Sequence, residues 1–421
     1  MKKIFLLAVL CVTAFFAEGQ ILKKVTDRAK NRTENNANNK VNNTVDKTVD
    51  GAMNPNNSKD KKTDTLKKEE ESTTLKSETT SASFKAYSKY DFVPGEKVIG
   101  YEDFSTGNIG DFPAGWNTNG AGEIVTIEGK QGRWLWITKP GAFIPEFTDK
   151  YPEDFTLEFD LLHGIPFGGG SFQFAMAELL SFDNLQAWNT SPHTFKLGLY
   201  ITSTGQKEGF VSTDIRKNST TLSANQVSTE LMSDKYNPVH VSIWRQKERI
   251  RVYINQEKLW DIPKAIAADA KINALFFPIH AADATIPFYI GNLRLAVGAP
   301  DTRKKMLEQN KWVTHGILFD ANSATIKPES YGTLKEMANI LKEYADLKVK
   351  IVGHTDADGA DAANLDLSKR RAASVKVALS KEFGIDESRM ETDGKGEGEP
   401  IDKNDKPAGK ANNRRVEFIK I

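Results

Sequence analysis

The stretch Ile351 to Leu379, IVGHTDADGADAANLDLSKRRAASVKVAL, constrains the fold of this chain more than any other. Val349, Ile351 and Gly353 alternate with Lys350 and Val352 in a short apolar run, which predicts a strand. Asp356 to Gly359 is rich in turn formers. From Asp361 a helical pattern begins, with Ala363, Leu367, Arg371, Val375 and Leu379 recurring every fourth residue. Asp356 therefore falls at the C-terminal end of a strand, in the loop that enters a helix, and Arg371 falls inside that helix. A carboxylate and a guanidinium fixed beside one cleft suit a zwitterion, because the carboxylate takes an ammonium and the planar fork takes a carboxylate. Taken singly, the two residues would read as a helix cap and a solvated helical arginine.

A length of 421 residues allows two or three domains. The formal net charge of +1 gives no reason to expect capture of nucleic acid or of an anionic membrane. The six histidines are scattered and the single cysteine, Cys11, lies near the N-terminus. No structural disulfide or cysteine-based metal site is expected, and no cofactor is called for.

Met1-Lys2-Lys3 and the apolar run Ile4 to Ala17 read as a signal peptide over residues 1–19, with the mature chain starting at Gln20. The run is too short for a comfortable membrane span, and no later stretch reaches 18 apolar residues. Nor is there a series of alternating ten-residue segments that would build a membrane barrel. Residues 20–95 read as a low-complexity tether, largely disordered or marginally helical. No aromatic residue occurs between Phe16 and Phe84, so the segment has little to bury against the entropy of ordering. Ile21, Val25, Ala29 and Thr33 begin a four-residue repeat whose stripe winds round a helix without forming one seam. As a coil, some 65 residues of tether reach on the order of 45 Å.

From Tyr90 the aromatics return, and alternating runs separated by Gly, Pro, Asn and Asp predict an all-β sandwich over residues 96–300. The runs are Arg133 to Ile137, Phe155 to Leu161, Phe195 to Tyr200, Val239 to Trp244, Ile250 to Ile254 and Phe288 to Val297. VHVSIWRQKERIRVYINQEKLWDIP and the opening YEDFSTGNIGDFPAGW resemble laminin-G-like and concanavalin-A-like jelly rolls. That resemblance implies a fold used to bind glycans, in some cases with calcium, and in some members to cleave them. Glu158 and Asp160 match two of the three acids of the laminarinase-like members, but Leu162 and His163 follow where the third belongs. The pair then reads as the polar face of a strand. Trp116, Trp134, Trp136, Trp188, Trp244 and Trp260 are candidates for a sugar platform or for core. A glycan and an outer-membrane protein both remain open as the ligand of this domain.

Ala299 to Lys305 reads as a joint. Beyond it, a strand at His315 to Phe319, a helix from Pro328 and a strand at Leu347 to Gly353 are predicted. The helix Asp361 to Phe383 and strands at Met390 to Gly396 and Arg414 to Ile421 complete a β-α-β-α-β-β domain of the α+β class. Asp402 to Lys410 reads as a charged surface loop. With Phe319-Asp320, GHTD, LS-x-x-RA and Asn413-Arg414-Arg415-Val416-Glu417 in this order, residues 312–421 of the domain 301–421 resemble the OmpA-like C-terminal domain, a peptidoglycan-binding module of Gram-negative envelopes. The resemblance implies that Asp356 and Arg371 grip the diaminopimelate of the stem peptide, with Thr355, Asn364, Leu367 and Arg415 lining the pocket. No catalytic or metal-binding residue is expected. The chain then reads as a periplasmic, peptidoglycan-associated, non-enzymatic anchor at the outer membrane. A wall-localised glycan hydrolase and a structural adaptor to an outer-membrane partner are the alternatives.

Overall fold

The computed structural model describes residues 90–421 apart from 149, 165–169, 183–184, 186–189, 202–206, 234–237, 281–286 and 299–301. The expected leader, most of the tether and the start of the joint lie outside the described residues.

Alternation in the middle segment produces two antiparallel sheets. One runs in the order Glu257–Ile262, Arg249–Ile254, Val239–Gln246, Asp154–His163, Phe288–Val297, Trp134–Lys139, Ala121–Val125, with Lys97–Glu102 also paired to Phe288–Val297. The other runs Thr220–Thr229, Gly209–Lys217, His193–Ile201, Gly170–Ala177, Ala274–Ile279, Gly141–Pro145, Trp116–Thr118. Phe155, Leu157, Phe159 and Leu161, one face of a single strand, are buried against Phe172, Phe174 and Phe277 of the facing sheet. Phe159 meets Phe277 edge-on at 5.1 Å, the geometry aromatic pairs favour. This inner face makes the domain a β-sandwich, with the strand Phe288–Val297 where the alternation placed it.

The C-terminal sheet runs Lys311–Thr314, Val416–Lys420, Val349–His354, Met390–Gly396. Only its last two strands are parallel, and the helix Asp361–Phe383 makes the crossover between them. That helix stops at Gly384, which takes the left-handed conformation at φ 71°. Leu334, Met337 and Leu341 of the helix Tyr331–Glu343 join Val375 and Leu379 over Trp312, Ile351 and Phe418. Two glycines set the closeness of the crossover helix. A Cβ at Gly353 would stand 2.3 Å from the Ser368 carbonyl oxygen, and one at Gly394 2.4 Å from the Lys369 nitrogen. Ser368 Oγ accepts from Gly396 N–H at 2.9 Å, so the serine of LS-x-x-RA ties helix to strand.

Several expectations need correction. The first strand of this domain is Lys311–Thr314, and His315 turns instead to donate from Nε2 to the Asn412 carbonyl at 2.8 Å. The joint contains a helix, Thr302–Glu308, and the expected charged loop ends in another, Pro407–Asn413. The second helix packs on the sandwich: Asn412 accepts from Val98 N–H at 2.8 Å and donates to the Val98 carbonyl at 2.9 Å. Tyr90 and Phe92, assigned to the tether, are fully buried against Tyr253 and Trp244 of the sandwich and Tyr331 of the C-terminal domain. Two aromatics have enough apolar surface to overcome the polar composition around them. No helix among the described residues is long and apolar enough to cross a membrane.

Candidate ligand-binding site

Asp356 lies just past the strand Val349–His354 and Arg371 in the third turn of the helix Asp361–Phe383, as the pattern requires. They are near neighbours without being paired. Asp356 Oδ2 accepts from Nη1 of Arg414 at 2.5 Å, and its Oδ1 accepts from Asp358 N–H at 3.2 Å. Arg371 donates through Nε to the Ser323 carbonyl at 2.9 Å and lies over the Phe319 ring at 4.9 Å. The Phe319-Asp320 motif thus has a physical use, because the turn it opens aims the guanidinium. Burial lowers the Arg371 pKa from 12.5 to about 10, Arg414 adds to the drop, and Asp356 opposes it, so the guanidinium stays charged. Among the described residues no carboxylate lies within ion-pair distance of Arg371. The guanidinium faces a recess of about 190 Å³ that it shares with Arg414, His354 and Lys327.

Residues 318–414 match the family model described as the OmpA family. They form an OmpA family domain. The chain is 45% identical over 104 residues to the probable lipoprotein YiaD of Escherichia coli strain K12, covering 25% of this chain and 47% of that one. It is 44% identical over 101 residues to outer membrane porin F of Pseudomonas fluorescens, covering 24% and 31%. The chain thus spans less than two thirds of either relative. Among solved structures, the peptidoglycan-associated lipoprotein from Burkholderia pseudomallei aligns at 27% identity and a TM-score of 0.25, covering 30% of this chain and 98% of that one.

Within the OmpA family domain the remaining expected residues divide. Asn364 is buried beside Asp356, donating from Nδ2 to the carbonyls of Asp356 at 3.3 Å and Asp358 at 3.1 Å. It holds the loop that carries the carboxylate. Thr355 is buried, its N–H bonded to the Gly396 carbonyl, and its hydroxyl has no partner among the described residues. Leu367 is half-buried one turn before Arg371 and, like Asp356, Thr355 and Asn364, does not line the recess. Arg415 does line it, but its donors are committed within the domain: Nε to Glu417 at 2.9 Å, Nη2 to the Glu399 carbonyl at 2.9 Å and Nη1 to the Asn413 carbonyl at 3.4 Å. Burial would raise the Glu417 carboxyl. His354, Lys311 and Arg415 overcome that and hold it far below its usual range. Asp358 is paired with Lys410 at 2.7 Å, so its charge is not free to reinforce Asp356.

The opposite wall of the recess comes from the sandwich, and sequence reasoning missed it. Glu158 and Asp160 do not form a solvated polar face, because the OmpA family domain lies over that face of the sheet. Glu158 is 2% exposed. Register explains its company: His240 stands directly across from Asp160 on one neighbouring strand, and Arg294 across from Glu158 on the other. His240 Nδ1 lies 2.6 Å from Asp160, and Arg294 Nη1 lies 3.6 Å from Glu158. A bulge between Gly291 and Arg294 puts Asn292 at φ 51°, from where Nδ2 donates to Asp160 at 2.6 Å. Burial would raise both carboxyls, but Arg294 and His240 at Glu158, and His240 and Asn292 at Asp160, outweigh it and lower them. Arg414 bridges the two walls, its guanidinium 4.9 Å over the Tyr101 ring of the sandwich. None of the five described tryptophans among the six candidates is exposed, and Trp188 lies outside the described residues.

Proposed function

We propose that this chain is a non-enzymatic cell-envelope anchor whose OmpA family domain binds peptidoglycan non-covalently through the diaminopimelate of the stem peptide. Asp356 takes the ammonium and Arg371 the carboxylate. The observation that carries this reading is Arg371 itself, a half-buried guanidinium aimed by Phe319 and Ser323 into a recess, with no carboxylate at ion-pair distance among the described residues. Asp356 must release Arg414 or share it with the ligand; either way the loop held by Asn364 keeps the carboxylate in place. In this reading Arg415 braces the fold, while on this domain Asp356, Arg371 and the Thr355 hydroxyl meet the ligand. The names of the relatives, a lipoprotein and an outer membrane porin, support a place in the envelope. The sandwich, with its likeness to jelly rolls, is the module that joins this anchor to an envelope partner. A hydrolase would need a carboxylic acid kept protonated near neutral pH, whereas Glu158 and Asp160 are both shifted the other way.

Co-sedimentation with purified diaminopimelate-type sacculi tests the reading. Wild type should pellet, while folded Asp356→Ala and Arg371→Ala should stay in the supernatant. Pelleting of both variants at the wild-type level would remove the pair from the site.

A further inference from the structure

The recess beside Arg371 has two walls, and only one belongs to the OmpA family domain. Its lining grades from half-buried Arg371, Lys327 and Asn292 to buried Glu158 and Arg294, so it runs inward from solvent to the sandwich sheet. Charge within it is unbalanced. Three carboxylates line it, Glu158, Asp160 and Glu329, against Arg294, Lys327, Arg371, Arg414 and Arg415. Asp160 is taken by His240 and Asn292, and one oxygen of Glu329 has no partner among the described residues. Arg414 and Arg415 are taken by Asp356 and Glu417 outside the recess. Glu158 lies 3.6 Å from both Arg294 and His240. Arg294 is 6% exposed, and its Nε and Nη2 find no acceptor among the described residues. Arg371 and Lys327 have no ion-pair partner there either. Buried guanidinium donors left unmatched are costly, and a recess with donors to spare is built for an anion. Planar forks on facing walls suit a carboxylate.

We propose that the sandwich completes the binding site, with Arg294 holding the free C-terminal carboxylate of the stem peptide while the OmpA family domain holds the diaminopimelate end. This rests on the wall-anchor reading and goes beyond it: the sandwich becomes a specificity-determining wall that recognises stems ending in a free acid. His240 and Asn292 occupy the two oxygens of Asp160, which also lines the recess, and so weaken its repulsion of the incoming carboxylate.

The test is calorimetry on the full chain with two synthetic stem peptides that keep the side-chain amino-acid centre of diaminopimelate intact. One ends in a free carboxylate and the other in a carboxamide. Wild type should prefer the acid by about tenfold, the weight of one charge-assisted fork. Arg294→Gln should bind both peptides equally, at the wild-type affinity for the amide. Lys327→Gln, on the other wall and clear of Glu158, should lower the preference without abolishing it, which keeps the test open if the Arg294 variant misfolds. Equal binding of acid and amide by wild type, or an unchanged preference in folded Arg294→Gln, overturns the proposal while leaving the anchor intact. Binding of neither peptide, with no pelleting on sacculi, overturns both.

Discussion

The two walls of the recess are built by opposite means. On the OmpA family domain the charged residues fall in short sequence motifs, Arg371 fifteen residues after Asp356 on the crossover helix and Arg415 two before its partner Glu417, even though Arg371 and Asp356 reach 48 and 58 positions for Ser323 and Arg414. On the sandwich the cluster of Glu158, Asp160, His240, Asn292 and Arg294 is drawn from three strands, and the His240–Asp160 contact spans 80 positions. A wall of local motifs is legible as a pattern. A wall of cross-strand pairs exists only once register is set.

The sharpest way to break this contrast is to compare two arginines of one domain. Arg415→Ala removes one of the partners of buried Glu417, leaving Lys311 at 2.7 Å, and should destabilise the fold by about 1.5–3 kcal/mol, read as a lowered denaturant midpoint. Arg371→Ala should leave the midpoint nearly unchanged, because among the described residues its side chain makes one hydrogen bond, to the Ser323 carbonyl. If Arg371→Ala proved as destabilising as Arg415→Ala, the division between bracing and binding arginines would fail.

Acid separates the walls next. His315 lies where they meet, and burial, with Arg294 and Arg415 nearby, lowers it from 6.5 to about 4. Between those values the unfolded chain binds a proton that the fold refuses, so stability present above pH 6.5 is lost on acidification. The loss reaches about 3 kcal/mol near pH 4. Denaturation midpoints between pH 7 and 4 should show this slope in wild type. It should be reduced in His315→Gln, which keeps an N–H for the Asn412 carbonyl; an unchanged slope would mean that other groups carry the acid response.

How much was legible follows the same division. The helix Asp361–Phe383 and the strands Met390–Gly396 and Phe288–Val297 lie where periodicity put them, because long amphipathic runs carry their own signal. The helix Pro407–Asn413 was hidden because seven residues hold no periodicity, and its place depends on Asn412 reaching Val98. Alternation correctly put Glu158 and Asp160 on the outer face of their strand. It carried no information about what covers that face. Arg414 was passed over beside Arg415, although adjacent strand-edge residues point to opposite sides and only one of the pair can serve Glu417.

The most direct measurement is the affinity of the full chain for diaminopimelate-type sacculi against sacculi with lysine at the same stem position. Lysine offers an ammonium to Asp356 but no carboxylate to Arg371. Binding to the diaminopimelate wall should be tighter by about tenfold or more, with the difference erased in Arg371→Ala. Equal affinity of wild type for both walls would contradict that role for Arg371.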